Sequence, residues 1–330
     1  MRILLVRPGA LGDVLLTLPV VQALELHWPQ ATIEAMGDPA VLRLLCGRGA
    51  VGAVWPFDGL DVGPMFRPDG ALTPELSRRF GGYDVIINYA GPADSVFARN
   101  LSRVARNRIV HCDARPSPQM CVHMSEFLQR PLPALGVPRC SDRPRLRLTP
   151  HDRQRGMRWW AEHALDNEAA VALHPGSGSP AKNWPAERFA ALARHLVATG
   201  CQVLLIIGPA DGVPASMVQR EMRGMPITPV ADLPLWLVAA ILERCAGYVG
   251  NDSGISHLAA AVGVPMVGIF GPTDPAVWAP RGRAVTVLRG SSARGVPNRQ
   301  PLQGVEAVPV ETVIGALQSI VASPAESQHG

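Results

Sequence analysis

Residues 247–270 read GYVGNDSGISHLAAAVGVPMVGIF and predict a complete strand–helix–strand unit. The runs 247–250 and 265–270 are short and apolar, which is typical of buried strands. Residues 253–262 between them are long enough for a helix, and a glycine and a proline separate this helix from the second strand. Repetition of this order along a chain indicates a parallel sheet with helices packed on its faces.

The same alternation continues in the rest of the chain. Residues 2–6 form a short apolar run that stops at Pro8, and residues 14–28 follow as an apolar-rich helix. Pro19 must kink this helix or delay its start, because proline lacks an amide hydrogen and clashes with the preceding turn. Further apolar runs predict strands at 31–36, 51–57, 84–90, 108–112, 170–173 and 201–207, and helices at 186–198, 235–244 and 310–321.

The length of 330 residues predicts two domains, because a domain usually has about 100–200 residues. Between residues 131 and 150 the chain is rich in proline and arginine and loses its apolar periodicity, which indicates a linker. We therefore expect an N-terminal domain over 1–155 and a C-terminal domain over 156–330. The predicted fold class is α/β, with two Rossmann-like, doubly wound parallel-sheet domains facing across a cleft that receives the ligands.

Several classes of protein are excluded at this stage. With 47% hydrophobic and 18% charged residues, the composition is that of a folded globular protein. Arg7 and Asp13 interrupt the first apolar stretch, so we predict no signal peptide and a cytoplasmic protein. The uncharged residues 254–273 are divided by glycine and proline, so no membrane span is predicted. Six cysteines lie far apart without metal-ligand spacing, and neither a dinucleotide-binding glycine fingerprint nor a P-loop is present.

The positive charge of the chain is concentrated in its N-terminal half. Residues 1–165 contain 20 arginines and 15 acidic residues, a net charge of +5, while the whole chain carries +4. Five arginines crowd one segment of this half and form what we call the arginine cluster: Arg99, Arg103, Arg106, Arg108 and Arg115. Such a cluster suits an anionic partner, although a solvated helix face explains it equally well.

Lys182 is the single lysine among the 31 basic residues of the chain. A bias towards arginine has therefore replaced lysine wherever either cation serves. A site that needs a compact ammonium with freely directed donors would resist this bias, because a planar guanidinium cannot replace it. Residues 174–184, HPGSGSPAKNW, surround Lys182 with small and hydroxyl side chains after a short strand, as phosphate-binding loops do. The alternative is a lysine that survives by chance on a surface loop.

The segment 250–257, GNDSGISH, joins the end of a predicted strand to the start of a predicted helix. Free amides and the helix dipole at such a junction bind a diphosphate. His257 in the first turn is suited to donate a hydrogen bond to a phosphate or a sugar. Taken alone, Asp252 or Ser253 is better explained as a helix cap, and His257 as a packed structural histidine.

The segment 9–13, GALGD, lies at the matching position of the N-terminal domain. Gly9 and Gly12 allow the backbone to turn tightly and to approach a ligand. Asp13 would then project a carboxylate from a helix start, where it can act as general base on an acceptor hydroxyl. The alternative is that Asp13 caps the helix.

These segments together resemble glycosyltransferase family 9, the ADP-heptose:lipopolysaccharide heptosyltransferase family. The matching stretches are RPGALGDVLLTLPVVQAL at 7–24, LHPGSGSPAKNWPAERFAALARHL at 173–196 and GNDSGISHLAAAVGVPMVGIFGPTDPAVWAP at 250–280. The resemblance implies a GT-B fold with the acceptor on the N-terminal domain and the ADP-sugar on the C-terminal one. It also implies inversion at the anomeric carbon without a metal, and the chain has no Asp-x-Asp pair.

The resemblance also implies roles for individual residues. Asp13 matches the family's general base, and Lys182 matches its phosphate-binding lysine. Asp211 corresponds to an acidic residue that holds the ribose hydroxyls, and Leu233 falls where the family lines the adenine pocket. The nucleotide-sugar segment and the phosphate loop, which has serines where relatives often have threonines, supply the remaining candidates: Asp252, Ser253, Gly254, His257, Ser177 and Ser179.

The function that this resemblance implies is transfer of a heptose from ADP-heptose to a lipopolysaccharide core. The expected partners are the nucleotide sugar and an anionic glycolipid, with peripheral contact to the cytoplasmic face of the inner membrane, and with no cofactor, metal or nucleic acid. Two alternatives remain, a nucleotide-sugar epimerase of the same fold and a non-catalytic nucleotide-sugar-binding module. An epimerase needs its acid and base around the donor sugar, so the carboxylate of Asp13 argues for a transferase.

Overall fold

The computed structural model divides into two compact units, Met1–Thr149 and Pro150–Gly330. The second unit begins with the helix Pro150–Glu162, so the boundary predicted after residue 155 would cut through this helix. The residues that the structure describes are 1–49, 51–105, 107–117, 120–165, 169–290 and 304–322.

The first unit is built on a five-stranded parallel sheet in the order β3-β2-β1-β4-β5. Its strands are β1 (Arg2–Val6), β2 (Thr32–Gly37), β3 (Val51–Pro56), β4 (Val85–Asn88) and β5 (Arg108–His111). Its helices are α1 (Leu11–Leu15), α2 (Leu18–His27), α3 (Pro39–Leu42), α4 (Pro74–Gly81), α5 (Val96–Val104) and α6 (Met124–Phe127), with short 3-10 helices at Leu60–Phe66 and Pro133–Leu135.

Pro19 delays a helix rather than kinking one. The apolar stretch predicted as one helix forms α1 and α2, and Pro19 lies in the first turn of α2 after the N-cap Thr17. The first amides of a helix have no partner within the helix, so proline costs no hydrogen bond there. Asp13 consequently lies on a separate short helix directly after β1.

The second unit is built on a six-stranded parallel sheet in the order β11-β10-β9-β6-β7-β8. Its strands are β6 (Ala170–His174), β7 (Gln202–Ile207), β8 (Thr228–Ala231), β9 (Gly247–Asn251), β10 (Met266–Phe270) and β11 (Val285–Arg289). Its helices are α7 (Pro150–Glu162), α8 (Ala186–Ala198), α9 (Gly212–Glu221), α10 (Leu235–Leu242), α11 (Gly254–Ala261), α12 (Pro275–Trp278) and α13 (Val310–Ala322), with 3-10 helices at Pro180–Lys182 and Val305–Ala307.

Both sheets contain a point at which the strand order reverses. In the first sheet β1 lies between β2 and β4, and in the second β6 lies between β7 and β9. The loops that leave the carboxyl ends of such neighbouring strands diverge to opposite faces and open a crevice, which is where doubly wound sheets bind ligands. The candidate segments follow β1, β6 and β9, so each lies at one of these two points. In the part of the chain that the structure describes, no helix has both the length and the apolar character needed to cross a membrane.

Candidate functional site

The start of α11 presents backbone amides at the end of β9. Ser253 is the N-cap of this helix, and its hydroxyl oxygen accepts a hydrogen bond from the amide of Ser256 at 3.3 Å. The amides of Gly254 and Ile255 precede the first hydrogen bond within the helix, where amides have no helical carbonyl to bind. Together with the dipole of α11 they form a site for an anion.

The loop of residues 174–184 is fastened beside this helix start by Asn251. The buried amide of Asn251 donates to the carbonyl of Pro175 at 2.9 Å and accepts from the amide of Trp184 at 2.9 Å, so one side chain holds both ends of the loop. Within the loop, the hydroxyl of Ser177 lies 2.6 Å from Oδ1 of Asn183. It also accepts from the amide of Ser179 at 3.2 Å. The partners of Ser177 found here are therefore within the loop.

Lys182 ends a short 3-10 helix in this loop and reaches the start of α11. Its Nζ lies 2.6 Å from Oδ2 of Asp252, whose side chain is buried, while the side chain of Lys182 is 31% exposed. An ammonium has three donors, so the ion pair leaves donors of Lys182 for a further anion. Lys182 is thereby held against Asp252, the residue that precedes the N-cap of α11.

Asp211 has partners that differ from the ribose hydroxyls expected for it. It is only 5% exposed, and its Oδ2 accepts from the amide of Gly208 at 2.7 Å and lies 2.8 Å from Nε2 of His174. Burial would raise the pKa of Asp211, but the hydrogen bonds from His174 and Gly208 outweigh it, and the pKa lies below its ordinary value. The carboxylate is therefore an internal acceptor that holds His174 in place.

Gly176 is required by this packing, which yields a test of the loop. A Cβ on Gly176 would lie 1.7 Å from Oδ1 of Asp211, whereas one on Gly178 would meet nothing within 4 Å. We expect Gly176→Ala to lower the free energy of unfolding in urea by about 1–3 kcal/mol or more, because Asp211 is buried and cannot move aside cheaply. The matched control Gly178→Ala should change it by less than about 0.5 kcal/mol. Equal effects of the two substitutions would contradict this account.

The remaining candidates of the second unit are His257, which follows β9, and Leu233, which follows β8. His257 is buried in the first turn of α11 at 6% exposure. Leu233 is half-buried at the end of β8, between Asp232, which has a left-handed φ of 55°, and Pro234, the N-cap of α10. Among the described residues, no group of three or more histidines, cysteines or acidic residues is placed to hold a metal ion.

In the first unit, Asp13 follows a tight turn at the end of β1. Gly9 has a left-handed φ of 147°, and a Cβ there would lie 2.8 Å from the Cβ of Asp13, so both the conformation and the space require glycine. Oδ2 of Asp13 accepts from the amide of Ala10 at 3.2 Å, which is the capping bond considered above. The side chain of Asp13 is still 22% exposed. Gly12 lies within α1, beyond the turn itself.

Arg7 lies beneath Asp13 and was missed as a functional residue by the sequence analysis. Its guanidinium is 2% exposed, and its Nη2 lies 3.2 Å from Oδ1 of Asp13 while its Nε donates to Thr17 at 3.1 Å. Burial lowers the pKa of Arg7, which Asp13 opposes and nearby Arg115 reinforces. A charged residue at the end of a buried strand was the available signal, because a buried guanidinium needs a partner.

The arginine cluster is only partly free for a ligand. Arg99 and Arg108 are exposed but donate to the carbonyls of Asp94 and Ala134, and Arg103 donates to Oδ1 of Asn100 at 3.0 Å. Arg115 is also exposed. A guanidinium has five donors, so these bonds leave donors unused on Arg99, Arg103 and Arg108. Arg106 lies outside the described residues.

Known proteins resemble this chain in sequence and in fold. Residues 98–303 match the family model for glycosyltransferase family 9 (heptosyltransferase). The chain is 23% identical over 314 residues to lipooligosaccharide heptosyltransferase 2 of Haemophilus influenzae, with 88% of each protein covered. A solved structure of a family 9 glycosyltransferase from Veillonella parvula has a TM-score of 0.78 at 22% identity and covers 97% of both chains.

A second solved structure supports the fold class. The Escherichia coli ADP-heptose lipopolysaccharide heptosyltransferase II has a TM-score of 0.75 at 20% identity and covers 97% of this chain and 98% of its own. The expected α/β class of GT-B type, with two parallel sheets, is thereby confirmed. Because the family match extends over more than half of the residues, the chain belongs to glycosyltransferase family 9, the heptosyltransferase family.

Proposed function

We propose that this enzyme transfers a heptose from ADP-heptose to a lipopolysaccharide core acceptor, with inversion and without a metal. Family membership supports the reaction class. The observation that carries the proposal for the donor is the position of Lys182 at the start of α11, where a cation and open backbone amides meet. A diphosphate leaving group needs such compensation of its negative charge when no metal supplies it.

The diphosphate of the donor would bind to the amides of Gly254 and Ile255 and to Lys182. Asp252 neutralises Lys182 before the donor arrives, and its second carboxylate oxygen would accept a sugar hydroxyl. His257 would face the same sugar from the first turn of α11. These contacts are short and charge-assisted, so salt should weaken them little.

The nucleoside would lie towards β8, with the adenine beside Leu233. The half-buried side chain of Leu233 and the backbone around Asp232 suit a flat apolar ring. Asp211 is bonded to His174 and Gly208 within the protein, so we assign it to the support of the loop in place of the ribose contact. Ser177 and Ser179 would likewise act by holding the loop around Lys182.

Asp13 would remove the proton from the acceptor hydroxyl. Arg7 and the amide of Ala10 each bind one of its carboxylate oxygens, so the group is oriented while part of it stays open to solvent. The turn at Gly9 and the glycine at position 12 leave room for the acceptor next to this carboxylate. The acceptor would approach from the cytoplasmic face of the inner membrane.

The reaction is tested by the release of ADP from ADP-heptose with and without a lipopolysaccharide core acceptor. A transferase should release ADP rapidly only when the acceptor is present, with a new bond between heptose and the core detected by mass spectrometry. Fast ADP release without acceptor, or turnover that yields an isomer of the nucleotide sugar, would contradict the proposal. Binding of ADP-heptose without any turnover would identify a binding module instead.

Acceptor binding should depend strongly on salt, because a lipopolysaccharide core is anionic and the first 165 residues carry a net charge of +5. Attraction between exposed charges is screened over about 10 Å at 0.1 M salt. We expect salt between about 0.05 M and about 0.5 M to raise the KM for acceptor roughly tenfold and to change the KM for donor little. Steady-state kinetics with either substrate varied will measure this difference.

Charge-reversal variants test which surface of the protein attracts the anionic acceptor. Arg103→Glu should raise the KM for acceptor at low salt, while Arg139→Glu, at an exposed arginine outside the arginine cluster, should change it much less. Arg106→Glu is expected to act as Arg103→Glu does. Equal salt dependence for both substrates, or equal effects of the Arg103 and Arg139 variants, would show that the arginine cluster is a solvated surface.

A further inference from the structure

A buried chain of hydrogen bonds leads from Asp211 through His174 to the cap of α11. Nε2 of His174 lies 2.8 Å from Oδ2 of Asp211, and Nδ1 of His174 lies 3.1 Å from the hydroxyl oxygen of Ser253. His174 is 2% exposed and Asp211 is 5% exposed. Both side chains are therefore shielded from solvent, and their hydrogen bonds are made to other groups of the protein.

The protons of this chain can be assigned from the acceptors. The ionised Asp211 only accepts, so it binds the amide hydrogen of Gly208 and the hydrogen on Nε2 of His174. An imidazole that carries its single hydrogen on Nε2 keeps a lone pair on Nδ1, which needs a donor because an unbonded buried acceptor is costly. The hydroxyl of Ser253 is the donor at hydrogen-bond distance.

The hydrogen bonds of Ser256, the other neighbour of the Ser253 hydroxyl, are consistent with this assignment. Ser256 directs its hydroxyl to the carbonyl of Asn251 at 2.5 Å, and the hydroxyl of Tyr248 lies 3.0 Å from the oxygen of Ser256. Ser256 therefore has no proton for Ser253, although their oxygens lie 3.2 Å apart. If Ser253 donated to Ser256 instead, Nδ1 of His174 would lose its donor. With this tautomer of His174, the arrangement that satisfies every group has Ser253 donating to Nδ1 of His174.

We propose that His174 is a positioning residue for the donor: it holds the Ser253 hydroxyl as the cap of α11, so that the amides of Gly254 and Ile255 point at the diphosphate. This inference rests on the proposed function of that helix start. The proposal also means that the hydroxyl of Ser253 donates its hydrogen bond to Nδ1 of His174 and not to the nucleotide-sugar substrate. Aspartate, histidine and serine also form the nucleophilic triad of hydrolases, but here the hydroxyl of Ser253 caps α11 by accepting from the amide of Ser256.

Two isosteric substitutions of His174 separate its two hydrogen bonds. The amide of asparagine replaces Nδ1, so His174→Asn keeps an acceptor for Ser253, whereas the amide of glutamine replaces Nε2, so His174→Gln keeps the donor to Asp211. We expect His174→Gln to raise the dissociation constant for ADP roughly five- to thirtyfold, the effect of a lost helix cap, and His174→Asn by less than about threefold. Isothermal titration calorimetry with ADP measures both, and the opposite order would overturn the proposal.

A double-mutant cycle tests whether His174 acts through Ser253. His174→Phe, Ser253→Ala and the double variant are titrated with ADP, and their free energies of unfolding are measured in urea. If His174 acts through the cap, the double variant should bind ADP as weakly as Ser253→Ala alone, within about twofold. If the dissociation constant of the double variant for ADP rises by the product of the two single-variant factors, the proposal is overturned. If His174→Phe fails to fold, the comparison of the asparagine and glutamine variants decides.

The same titrations separate this proposal from the one on which it rests. The wild type should bind ADP, and Lys182→Ala should bind it much more weakly. A wild type that does not bind ADP would overturn both proposals. ADP binding that depends on Lys182, together with additive effects of the His174 and Ser253 substitutions, would reject only the role of His174. The proposed donor site would then stand.

Discussion

Substitution of Asp13 by alanine or asparagine is expected to reduce the turnover number for transfer by roughly 100- to 10,000-fold, the usual contribution of a general base. The dissociation constant for ADP should stay within about threefold of the wild type, because the base acts on the acceptor hydroxyl and makes no contact with the nucleotide. Turnover with saturating acceptor and calorimetric titration with ADP measure the two effects separately.

Asp13→Asn is the sharper of the two variants. Oδ1 of an asparagine still accepts from Arg7, but its amide nitrogen cannot accept from the amide of Ala10, so the variant removes the base and that capping bond while it keeps the contact with Arg7. Asp38→Asn is the matched control, because Asp38 is also in the first unit and binds the amide of Ala40 at the start of α3. We expect this control to keep its turnover. Asp13→Asn with turnover near that of the wild type would show that Asp13 is only a helix cap.

The sequence allowed the central strands of both sheets to be predicted, because their runs are apolar on both faces and end at glycine or proline. The strands β8 (Thr228–Ala231) and β11 (Val285–Arg289) were missed. Both are edge strands of the second sheet with half-buried residues, so their composition differs little from that of a loop. Edge position alone does not hide a strand, because β3 and β5 are the edge strands of the first sheet and were predicted from their apolar runs.

The residues of the candidate site were also only partly predictable from the sequence. Lys182 and the segment around Ser253 were found because rarity of a residue type and a strand-to-helix junction are visible in the sequence. The roles of Asn251 and His174 were missed, since each acts through partners distant in the chain: His174 binds Asp211, 37 residues away, and Ser253, 79 residues away. Arg7 was missed although its partners Asp13 and Thr17 lie only 6 and 10 residues away. Family resemblance supplied a position for Asp211 but could not show that its carboxylate is buried.

Lys182 carries the second large expected effect. Lys182→Ala should reduce turnover roughly 100- to 1,000-fold, the usual loss when a group that stabilises a developing negative charge is removed. Lys182→Arg should be nearly as damaging. The ammonium lies 2.6 Å from Asp252 at the start of α11, and a planar guanidinium there would bind the carboxylate through two nitrogens and place its bulk where the diphosphate must lie.

This comparison decides whether the single lysine of the chain is there by necessity. Arg223→Lys, at an exposed position of the second unit, is the control for replacing one cation by the other. This variant should keep the turnover of the wild type. Unfolding in urea is measured for both variants, because Asp252 is buried and Lys182→Ala leaves its carboxylate without a cation. A loss of turnover in a variant that stays folded under the assay conditions reflects the site and not the fold. Recovery of most activity in Lys182→Arg would mean that any cation serves, and that the lone lysine is an accident of composition.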